Sequence, residues 1–228
     1  SNFLEALNHV ETVVFDKTGT LTKGVFQVTG VVPEEGFAKD KILEYAAYAE
    51  AFSNHPIATS ILAAYEGEID KDKIEGYQEI PGHGIKVKIN GREVLAGNAK
   101  LMKKEKISYK IGDSIGTIVH VAIDKKYAGY IIISDEIKGD SKDAIRELKD
   151  LGIKKTVMLT GDTKRVAERV GKELGLDEVY SELLPTDKVE KLEEIDRAKS
   201  PKGKLVFIGD GINDAPVLAR ADIGIAMG

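Results

Sequence analysis

The second half of the chain alternates short apolar runs with amphipathic helical patterns, and this feature limits the possible folds most strongly. Three of the runs have the length and composition of buried strands: Thr156–Thr160, Leu205–Ile208 and Ile223–Ala226. Helical patterns separate them, and Gly152 and Gly175 mark the predicted ends of two helices. Strands that alternate with helices form βαβ units around a parallel sheet. The sequence therefore predicts a doubly wound α/β domain of the Rossmann type.

The first strand of this sheet is predicted at Thr12–Phe15, followed by Asp16. It lies much farther from the strand at Thr156 than a compact crossover requires, so we expect an inserted domain between them. The boundaries are expected near Gly24–Phe26 and Ser134–Ile137. The predicted domains are residues 1–25 together with 135–228, and the insert 26–134.

The insert has a different pattern, with two helices followed by alternating strands. Asn90-Gly91 is a typical hairpin turn, and Asp124 is predicted to begin a second turn. This pattern is typical of an α+β module with an antiparallel sheet. The predicted helices are Lys39–Glu50 and Pro56–Tyr65, and the predicted strands are Ile85–Ile89, Glu93–Ala96, Ile118–Ile123 and Tyr127–Ile133.

Composition excludes several classes of function. The chain has 228 residues, 33 Lys and Arg against 38 Asp and Glu, and no cysteine. The chain is mildly acidic, whereas binding to nucleic acid calls for a basic stripe. The four histidines are not spaced as ligands of a transition metal. The strongly apolar stretch Ala128–Ile133 is far shorter than the roughly 20 residues that span a bilayer. Residues 1–5 lack the features of a signal peptide. This composition is that of a soluble protein. Because the last strand ends abruptly, we expect a fragment of a longer protein, and we expect this fragment to be monomeric.

Polar motifs follow three of the predicted strands. Asp16 follows the first strand, Thr160-Gly161-Asp162 the second, and Gly209-Asp210-Gly211 the third. Ligands of open α/β sheets bind at the carboxyl ends of the strands. A carboxylate there can attack phosphorus, while Lys188 neutralises phosphoryl oxygens and Mg²⁺ binds one or two carboxylates. A single Asp at such a position is more often a turn or helix cap, but three strand ends together indicate phosphoryl transfer.

The three motifs resemble those of the P-type ATPases, within the haloacid dehalogenase superfamily. Asp16-Lys17-Thr18-Gly19-Thr20-Leu21-Thr22 matches the phosphorylation motif without a break. Thr160-Gly161-Asp162 and Gly209-Asp210-Gly211-Ile212-Asn213-Asp214 match the second and third motifs in the same order. The resemblance covers essentially the whole chain, as a phosphorylation domain with a nucleotide-binding insert.

This resemblance implies a role for each motif residue. Asp16 is the expected nucleophile for the γ-phosphoryl group of ATP, and Thr18 helps to hold that group and the Mg²⁺ ion. Phosphatases of the superfamily usually have a second Asp at the position of Thr18, so the aspartyl phosphate should persist here. The other implied catalytic residues are Lys17, Thr160, Gly161, Asp162 and Lys188. The implied metal ligands are Asp16, Thr18, Asp210 and Asp214, with Asn213 completing their loop.

The insert resembles the nucleotide-binding domain of the heavy-metal-transporting branch. His55-Pro56 opens a predicted helix, where the ring of His55 is expected to be free to face a ligand, and Pro81-Gly82-His83-Gly84 lets a backbone approach a ligand closely. Taken alone, the first motif is more often a helix start and the second a hairpin bend. Together they resemble the adenine pocket of that branch, to which Glu50 and Gly97-Asn98 also correspond.

The resemblance implies that ATP and Mg²⁺ bind, and that transmembrane and actuator domains of the same polypeptide complete a membrane pump. The fragment would then face the cytoplasm. The segments Glu11–Phe26 and Ala221–Gly228 look more like those of zinc, cadmium and lead exporters than of copper exporters. Two alternatives stay open at this point: a stand-alone phosphatase of the same superfamily, and a nucleotide-binding regulatory module that is not phosphorylated.

Overall fold

The computed structural model describes residues 8–110, 112 and 114–227. The interpretations of residues 1–5 and of the end at Gly228 lie outside this set. The chain divides into two compact units. We call them the outer unit, which runs to Val25 and resumes at Asp135, and the inserted unit, Phe26–Ser134. Two strands, β2 and β7, each run from one unit into the other.

The helices and strands follow the chain in this order: β1 (Val10–Asp16), β2 (Thr22–Pro33), α1 (Lys39–Ala49), α2 (Pro56–Ala64), β3 (Ile74–Ile80), β4 (Gly84–Ile89), β5 (Arg92–Gly97), α3 (Ala99–Lys104), β6 (Thr117–Ile123), β7 (Lys126–Ile137), α4 (Ser141–Asp150), β8 (Lys155–Leu159), α5 (Lys164–Leu174), β9 (Glu178–Tyr180), α6 (Pro185–Ala198), β10 (Lys204–Asp210), α7 (Ala215–Leu218) and β11 (Ile223–Met227). None of the helices in the described ranges is long and apolar enough to span a bilayer.

The outer unit contains a five-stranded sheet in the order β11-β10-β1-β8-β9, and its strand pairs are parallel. The chain moves from β1 to β8 and β9 on one side and then returns to β10 and β11 on the other. The strand order therefore reverses between β1 and β10, where sheets of this kind bind ligands. Val13, Val14 and Phe15 are all buried, as expected for a strand that is covered on both faces. The predicted doubly wound parallel sheet is confirmed.

The inserted unit contains a six-stranded sheet in the order β2-β7-β6-β5-β4-β3, in which the pairs from β3 to β7 are antiparallel. One face packs against α1 and α2 through residues such as Ile42 and Ile61. The other face packs against α3 through Leu101 and Met102. Asn90 and Gly91 both have positive φ angles, of 51° and 77°, which is the geometry of the predicted hairpin turn.

Sequence patterns missed four elements: β2, β3, α3 and β9. In β2 and β3 most side chains are exposed, so neither strand shows an apolar alternation. The lysines of the stretch Lys100–Lys110 predict a solvated surface. Residues 100–104 of it belong to α3 instead, and Leu101 and Met102 are buried between the lysines. The sequence around His120 predicts a surface or strand position. His120 lies in β6 and is buried, and its Nδ1 lies 2.7 Å from the Tyr127 hydroxyl.

Candidate active site

A pocket of about 280 Å³ lies in the outer unit, at the carboxyl ends of β1, β8 and β10. The register aligns these ends, since Asp16 lies opposite Leu159 and Phe15 lies opposite Ile208. Three motifs that are far apart in the sequence therefore meet at one edge of the sheet. The pocket is lined by Asp16, Thr18, Thr160, Gly161, Asp162, Pro185, Lys188, Asp210, Asn213, Asp214, Pro216 and Val217.

Asp16 and Lys188 form the centre of this pocket. Lys188 Nζ lies 2.8 Å from Asp16 Oδ1 and 3.3 Å from Asp214 Oδ1. Burial raises the pKa of Asp16 to about 6, although the ion pair with Lys188 opposes this shift. Burial alone lowers the pKa of Lys188, but the bonds to Asp16 and Asp214 more than offset it and the pKa is raised. Lys188 is thus one cation beside the two carboxylates of Asp16 and Asp214, so this group of three has a net negative charge when both carboxylates are ionised.

Asp210 is held by its own loop. Its Oδ1 accepts a hydrogen bond from the Ile212 N–H at 2.8 Å, and its Oδ2 accepts one from Asn213 Nδ2 at 2.8 Å. These bonds lower the pKa of Asp210, the backbone bond from Ile212 most strongly. Asp214 is almost fully buried and accepts a hydrogen bond from the Asp210 N–H at 2.9 Å. The loop therefore keeps Asp210 ionised with a fixed orientation.

The loop after β1 presents Thr18 to the pocket. It turns at Gly19, which has a φ of 77° that few other residues adopt without strain. The Gly19 N–H donates a hydrogen bond to Thr22 Oγ1 at 3.1 Å, which closes the turn. Thr160 is buried at the end of β8, where its Oγ1 accepts a hydrogen bond from the Asp162 N–H at 3.1 Å. The Thr160 hydroxyl is therefore held by its own loop, and Thr18 is placed by the turn that follows it.

Lys17 differs from the other residues of its motif because it does not line the pocket. Its side chain is buried, and its Nζ lies 2.8 Å from Asp162 Oδ2 and 3.7 Å from Asp135 Oδ2. Among the predicted catalytic residues, Lys17 is thus placed behind the pocket, in an ion-paired position.

The donor set of the pocket fits Mg²⁺. No group of three or more His, Asp or Glu side chains within the described ranges is arranged to hold a metal ion. Mg²⁺ does not need such a group, because it is usually held by one or two carboxylates together with phosphate and water. Asp16 and Asp210 supply two carboxylates, and each oxygen of an ionised carboxylate can accept more than one contact. Thr18 also lines the pocket, and its backbone carbonyl would be a further hard oxygen ligand.

In the inserted unit, Glu50 ends α1 with only 8% of its surface exposed. Burial raises the pKa of Glu50 to about 7; a hydrogen bond with Ser53 opposes this shift and the charge of Glu79 adds to it. A buried carboxylate with so few partners is costly in a purely structural position. A buried carboxylate with a raised pKa is a candidate binding group.

His55 caps the first turn of α2, and Pro56 occupies the next position. His55 Nδ1 accepts a hydrogen bond from the Ile57 N–H at 3.2 Å. The expectation of a free ring is therefore wrong in part, because one ring nitrogen is occupied by the helix. Since Nδ1 acts as acceptor, the proton of the neutral ring is on Nε2, which is the nitrogen that can donate to a ligand.

The remaining predicted binding residues of the insert converge at the β3–β4 turn. A Cβ atom on Gly84 would lie 2.3 Å from the Ala96 carbonyl oxygen, and one on Gly97 would lie 2.3 Å from the His83 carbonyl oxygen. Asn98 Nδ2 donates a hydrogen bond to the Gly82 carbonyl oxygen at 2.9 Å. Gly84 and Gly97 thus allow two strands to approach, whereas a Cβ on Gly82 would meet nothing within 4 Å. Of these three glycines, Gly82 alone has open space beside its Cα.

Several residues of the pocket were not anticipated. Pro185, Pro216 and Val217 line it without any polar group that sequence reasoning could have singled out. Pro185 and Pro216 both lie in the first turn of a helix, α6 and α7 respectively. Proline is common at this position, so each marks the point where a loop ends and a helix begins. Asp135 contacts the phosphorylation motif from a distant part of the chain, and no local pattern marks it.

Comparison with known proteins agrees with this geometry. The family model of the haloacid dehalogenase-like hydrolases matches residues 10–222. A cadmium, zinc and cobalt-transporting ATPase of Bacillus subtilis (strain 168) is 60% identical over all of this chain, which spans 32% of that protein. The chain thus spans about a third of the length of this curated relative.

Two solved structures are similar over nearly the whole chain. One is a zinc-transporting PIB-type ATPase in the E2.Pi state, with 36% identity and a TM-score of 0.81 over 98% of this chain and 37% of that one. The other is the catalytic domain of the CPx-ATPase CopB-B, studied upon nucleotide binding. It shows 32% identity and a TM-score of 0.66 over 100% of this chain and 83% of that one.

The chain belongs to the haloacid dehalogenase-like hydrolases. Within that family it matches, from end to end, the catalytic portion of P-type ATPases that transport heavy metals.

Proposed function

We propose that this chain binds Mg²⁺ and ATP and transfers the γ-phosphoryl group to Asp16. The observation that carries the proposal is the pocket in which Asp16 lies 2.8 Å from Lys188, together with Asp210 and the two threonines 18 and 160. A carboxylate nucleophile, a cation for phosphoryl oxygens and a second carboxylate for the metal are the groups that this reaction requires.

In the proposed reaction a carboxylate oxygen of Asp16 attacks the γ-phosphorus, the bond from the β,γ-bridging oxygen to that phosphorus breaks, and ADP leaves. Lys188 shifts from the carboxylate toward the phosphoryl oxygens and neutralises their charge. Thr18, Thr160 and the Gly161 N–H donate hydrogen bonds to the same oxygens. Asp16, Asp210 and the Thr18 carbonyl would hold Mg²⁺, with Asp214 and Asn213 fixing the loop, and the ion would supply further charge neutralisation. The pocket has no second carboxylate at position 18 to activate water, which favours a lasting aspartyl phosphate.

We assign the inserted unit to binding of the adenine base. Three features support this assignment: buried Glu50, His55 with Nε2–H as its available donor, and the open Cα of Gly82. Adenine offers both donor and acceptor edges, so a carboxylate and an imidazole N–H suit it. The outer unit, residues 1–25 and 135–228, is then the phosphorylation domain, and residues 26–134 are the nucleotide-binding domain.

In the longer protein we propose that this phosphorylation drives metal export across a membrane, with the chain on the cytoplasmic face. Transmembrane and actuator segments of the same polypeptide would be its partners. Zinc and cadmium are favoured over copper as cargo because the relative with 60% identity and the structure with a TM-score of 0.81 are both described as zinc transporters.

The first test is transfer of acid-stable label from γ-labelled ATP in the presence of Mg²⁺, comparing the parent chain with Asp16→Asn. We expect label on the parent, lost on treatment with hydroxylamine, and none on the variant. ATP binding without label on either would favour the regulatory module. Rapid release of phosphate from simple esters would favour a phosphatase, and label on both would exclude Asp16 as the nucleophile.

The cargo is tested in the full-length protein that contains this chain. We expect Zn²⁺ and Cd²⁺ to stimulate ATP hydrolysis in membranes or detergent, and Cu⁺ to stimulate it much less. Stronger stimulation by Cu⁺ would contradict the assignment.

A further inference from the structure

Asp135 lies where β7 enters the outer unit, and only 5% of its side chain is exposed. It is far from Asp16 in the sequence and does not line the pocket. A buried carboxylate that takes no part in substrate binding needs partners of its own. Its partners belong to the loop that carries the phosphorylation motif.

Asp135 contacts this loop at three points. Its Oδ1 accepts a hydrogen bond from the Gly24 N–H at 2.9 Å. Its Oδ2 is bonded to Thr22 Oγ1 and lies 3.7 Å from Lys17 Nζ. The Thr22 hydroxyl is also 3.1 Å from the Lys17 carbonyl oxygen and accepts the N–H of Gly19. One carboxylate therefore holds the side chain of Lys17 and the turn that follows it.

Lys17 extends these contacts to a second strand end. Its Nζ lies 2.8 Å from Asp162 Oδ2, in the motif that follows β8. With one cation between two carboxylates, Asp135, Lys17 and Asp162 form a charged chain that ends at the pocket, which Asp162 lines. Lys17 also lies between Asp16 and Thr18, which both face the pocket. The ion pairs of the Lys17 side chain therefore restrain the backbone that carries the nucleophile and its neighbouring hydroxyl.

Two neighbours of Asp135 strengthen the same attachment. Lys138 Nζ donates a hydrogen bond to the Gly19 carbonyl oxygen at 3.3 Å, and the Lys138 N–H donates one to the Leu21 carbonyl oxygen at 3.0 Å. The Ser141 hydroxyl donates a second bond to Leu21 at 2.8 Å. The segment from Asp135 to Ser141 thus covers the loop along its length.

We propose that Asp135 is a positioning residue for phosphoryl transfer, which acts through Lys17 and Thr22 to hold the loop from Asp16 to Thr18 in its reactive geometry. The proposal rests on the proposed function for its catalytic consequence. The effect of Asp135 on the order of this loop can be measured by hydrogen exchange, without any turnover of ATP. Misplacement of a reacting group by about 1 Å can slow a reaction about 10²-fold, so even a small release of the loop should be detectable.

The principal variant is Asp135→Asn, and the chain offers a matched control in Glu136→Gln. Glu136 is the next residue of β7, and its ion pair with Lys23 at 2.7 Å is nearly half exposed on both sides. Exposed pairs of this kind contribute little. Thr22→Val is a second variant, which removes the buried hydroxyl but leaves the Asp135–Lys17 pair in place.

Three quantities are measured on each chain: the Kd for ATP, the single-turnover rate of label transfer at saturating ATP, and amide hydrogen exchange in residues 17–24. For Asp135→Asn we expect an unchanged Kd, a rate lower by about 10²-fold and faster exchange in this segment. Glu136→Gln should match the parent in all three. Thr22→Val should speed the exchange in the same segment.

A double variant tests the intermediary role of Lys17. If Asp135 acts through Lys17, then Lys17→Gln combined with Asp135→Asn should be no slower than the slower single variant. The proposal is overturned if Asp135→Asn and Thr22→Val both exchange and react like Glu136→Gln, or if Asp135→Asn changes the Kd for ATP and not the rate. If the parent takes no label, the proposed function fails. The exchange data then still decide whether Asp135 holds the loop.

Discussion

His55 has two roles that its two ring nitrogens separate. Nδ1 is occupied by the N–H of Ile57 at the start of α2, and Nε2 is the atom that a ligand can use. The sequence predicted its place at the helix entrance from the proline that follows it. Which nitrogen would be available depends on the side-chain rotamer, and no sequence pattern determines that.

Substitutions at His55 should separate these roles. Asn is a good N-cap residue, so His55→Asn should keep the stability of the inserted unit, whereas His55→Ala should lower it by about 1 kcal/mol. Both variants lose the Nε2 donor and should weaken ATP binding to a similar extent. Urea unfolding and calorimetric titration with ATP measure the two effects. Equal ATP affinity in the parent and His55→Asn would contradict the binding role.

Glu50 should make the stability of the inserted unit depend on pH. Its pKa is about 7 in the folded chain, against an ordinary value of 4.5, because burial disfavours the charged form. The folded state therefore holds the proton more tightly, and this contribution to stability is lost as the pH rises from about 4.5 through 7. Glu50→Gln should match the parent below pH 4.5 and exceed it at pH 8 by at most about 3 kcal/mol.

The measurement is urea unfolding of both chains from pH 4 to 8, followed by backbone NMR signals of residues 26–134. Only the difference between the chains is interpreted, since other carboxylates titrate in the same range. If the free energy of unfolding has the same pH dependence in both chains, the pKa of Glu50 is not raised by burial.

At the scale of elements, the glycines of the β3–β4 turn illustrate how one motif combines packing with binding. Gly84 has a φ of 145°, and a Cβ there would also lie 2.5 Å from the Gly97 Cα. Gly82 has a φ of 70°, but a Cβ there would meet nothing within 4 Å. The sequence shows only the repeated glycines and not which of them the strand pairing requires.

Alanine at these two positions should therefore have different effects. Gly84→Ala should separate β4 from β5 and destabilise the inserted unit by about 2 kcal/mol or more, because backbone atoms would have to move. Gly82→Ala should cost only the left-handed backbone strain, about 1 kcal/mol, but should weaken ATP binding if the base approaches this Cα. Thermal unfolding and ATP titration of both variants, with Gly91→Ala as the control for positive φ in open space, measure the contrast. Equal destabilisation by Gly82→Ala and Gly84→Ala would contradict it.

The strand ends were predictable because a parallel sheet brings its carboxyl edges together, which is a property of the element and not of single side chains. Asp16, Thr160 and Asp210 meet at one pocket for this reason. Side chains that contact the motif without lining the pocket were not predictable in the same way. Lys17 belongs to the motif yet does not line the pocket, and Asp135 contacts Lys17 only because the fold brings distant parts of the chain together. β2 and β3 were missed because edge strands with exposed side chains show no apolar alternation.

At the scale of the whole molecule, the two units differ in how the chain builds them. The outer unit is assembled from two separate pieces of sequence, whereas the inserted unit is continuous. The inserted unit has its own buried residues on both faces of its sheet. Its two ends lie on the neighbouring strands β2 and β7, where Thr29 Oγ1 and Ser134 Oγ are 2.8 Å apart. A chain that enters and leaves on adjacent strands can be inserted into another domain without opening that domain's sheet.

The excised inserted unit, Phe26–Ser134, should therefore fold alone and bind ATP with the affinity of the whole chain. Its sheet has six strands and packs against helices on both faces, which is sufficient for independent stability. The reciprocal chain, in which a short Gly/Ser linker joins Val25 to Asp135, should keep the pocket around Asp16 but lose ATP affinity. Circular dichroism, backbone NMR spectra and ATP titration of the two pieces test both statements. Failure of the excised unit to fold would mean that β2 and β7 need the outer unit for their order, and ATP binding by the reciprocal chain alone would move the base-binding site out of the insert.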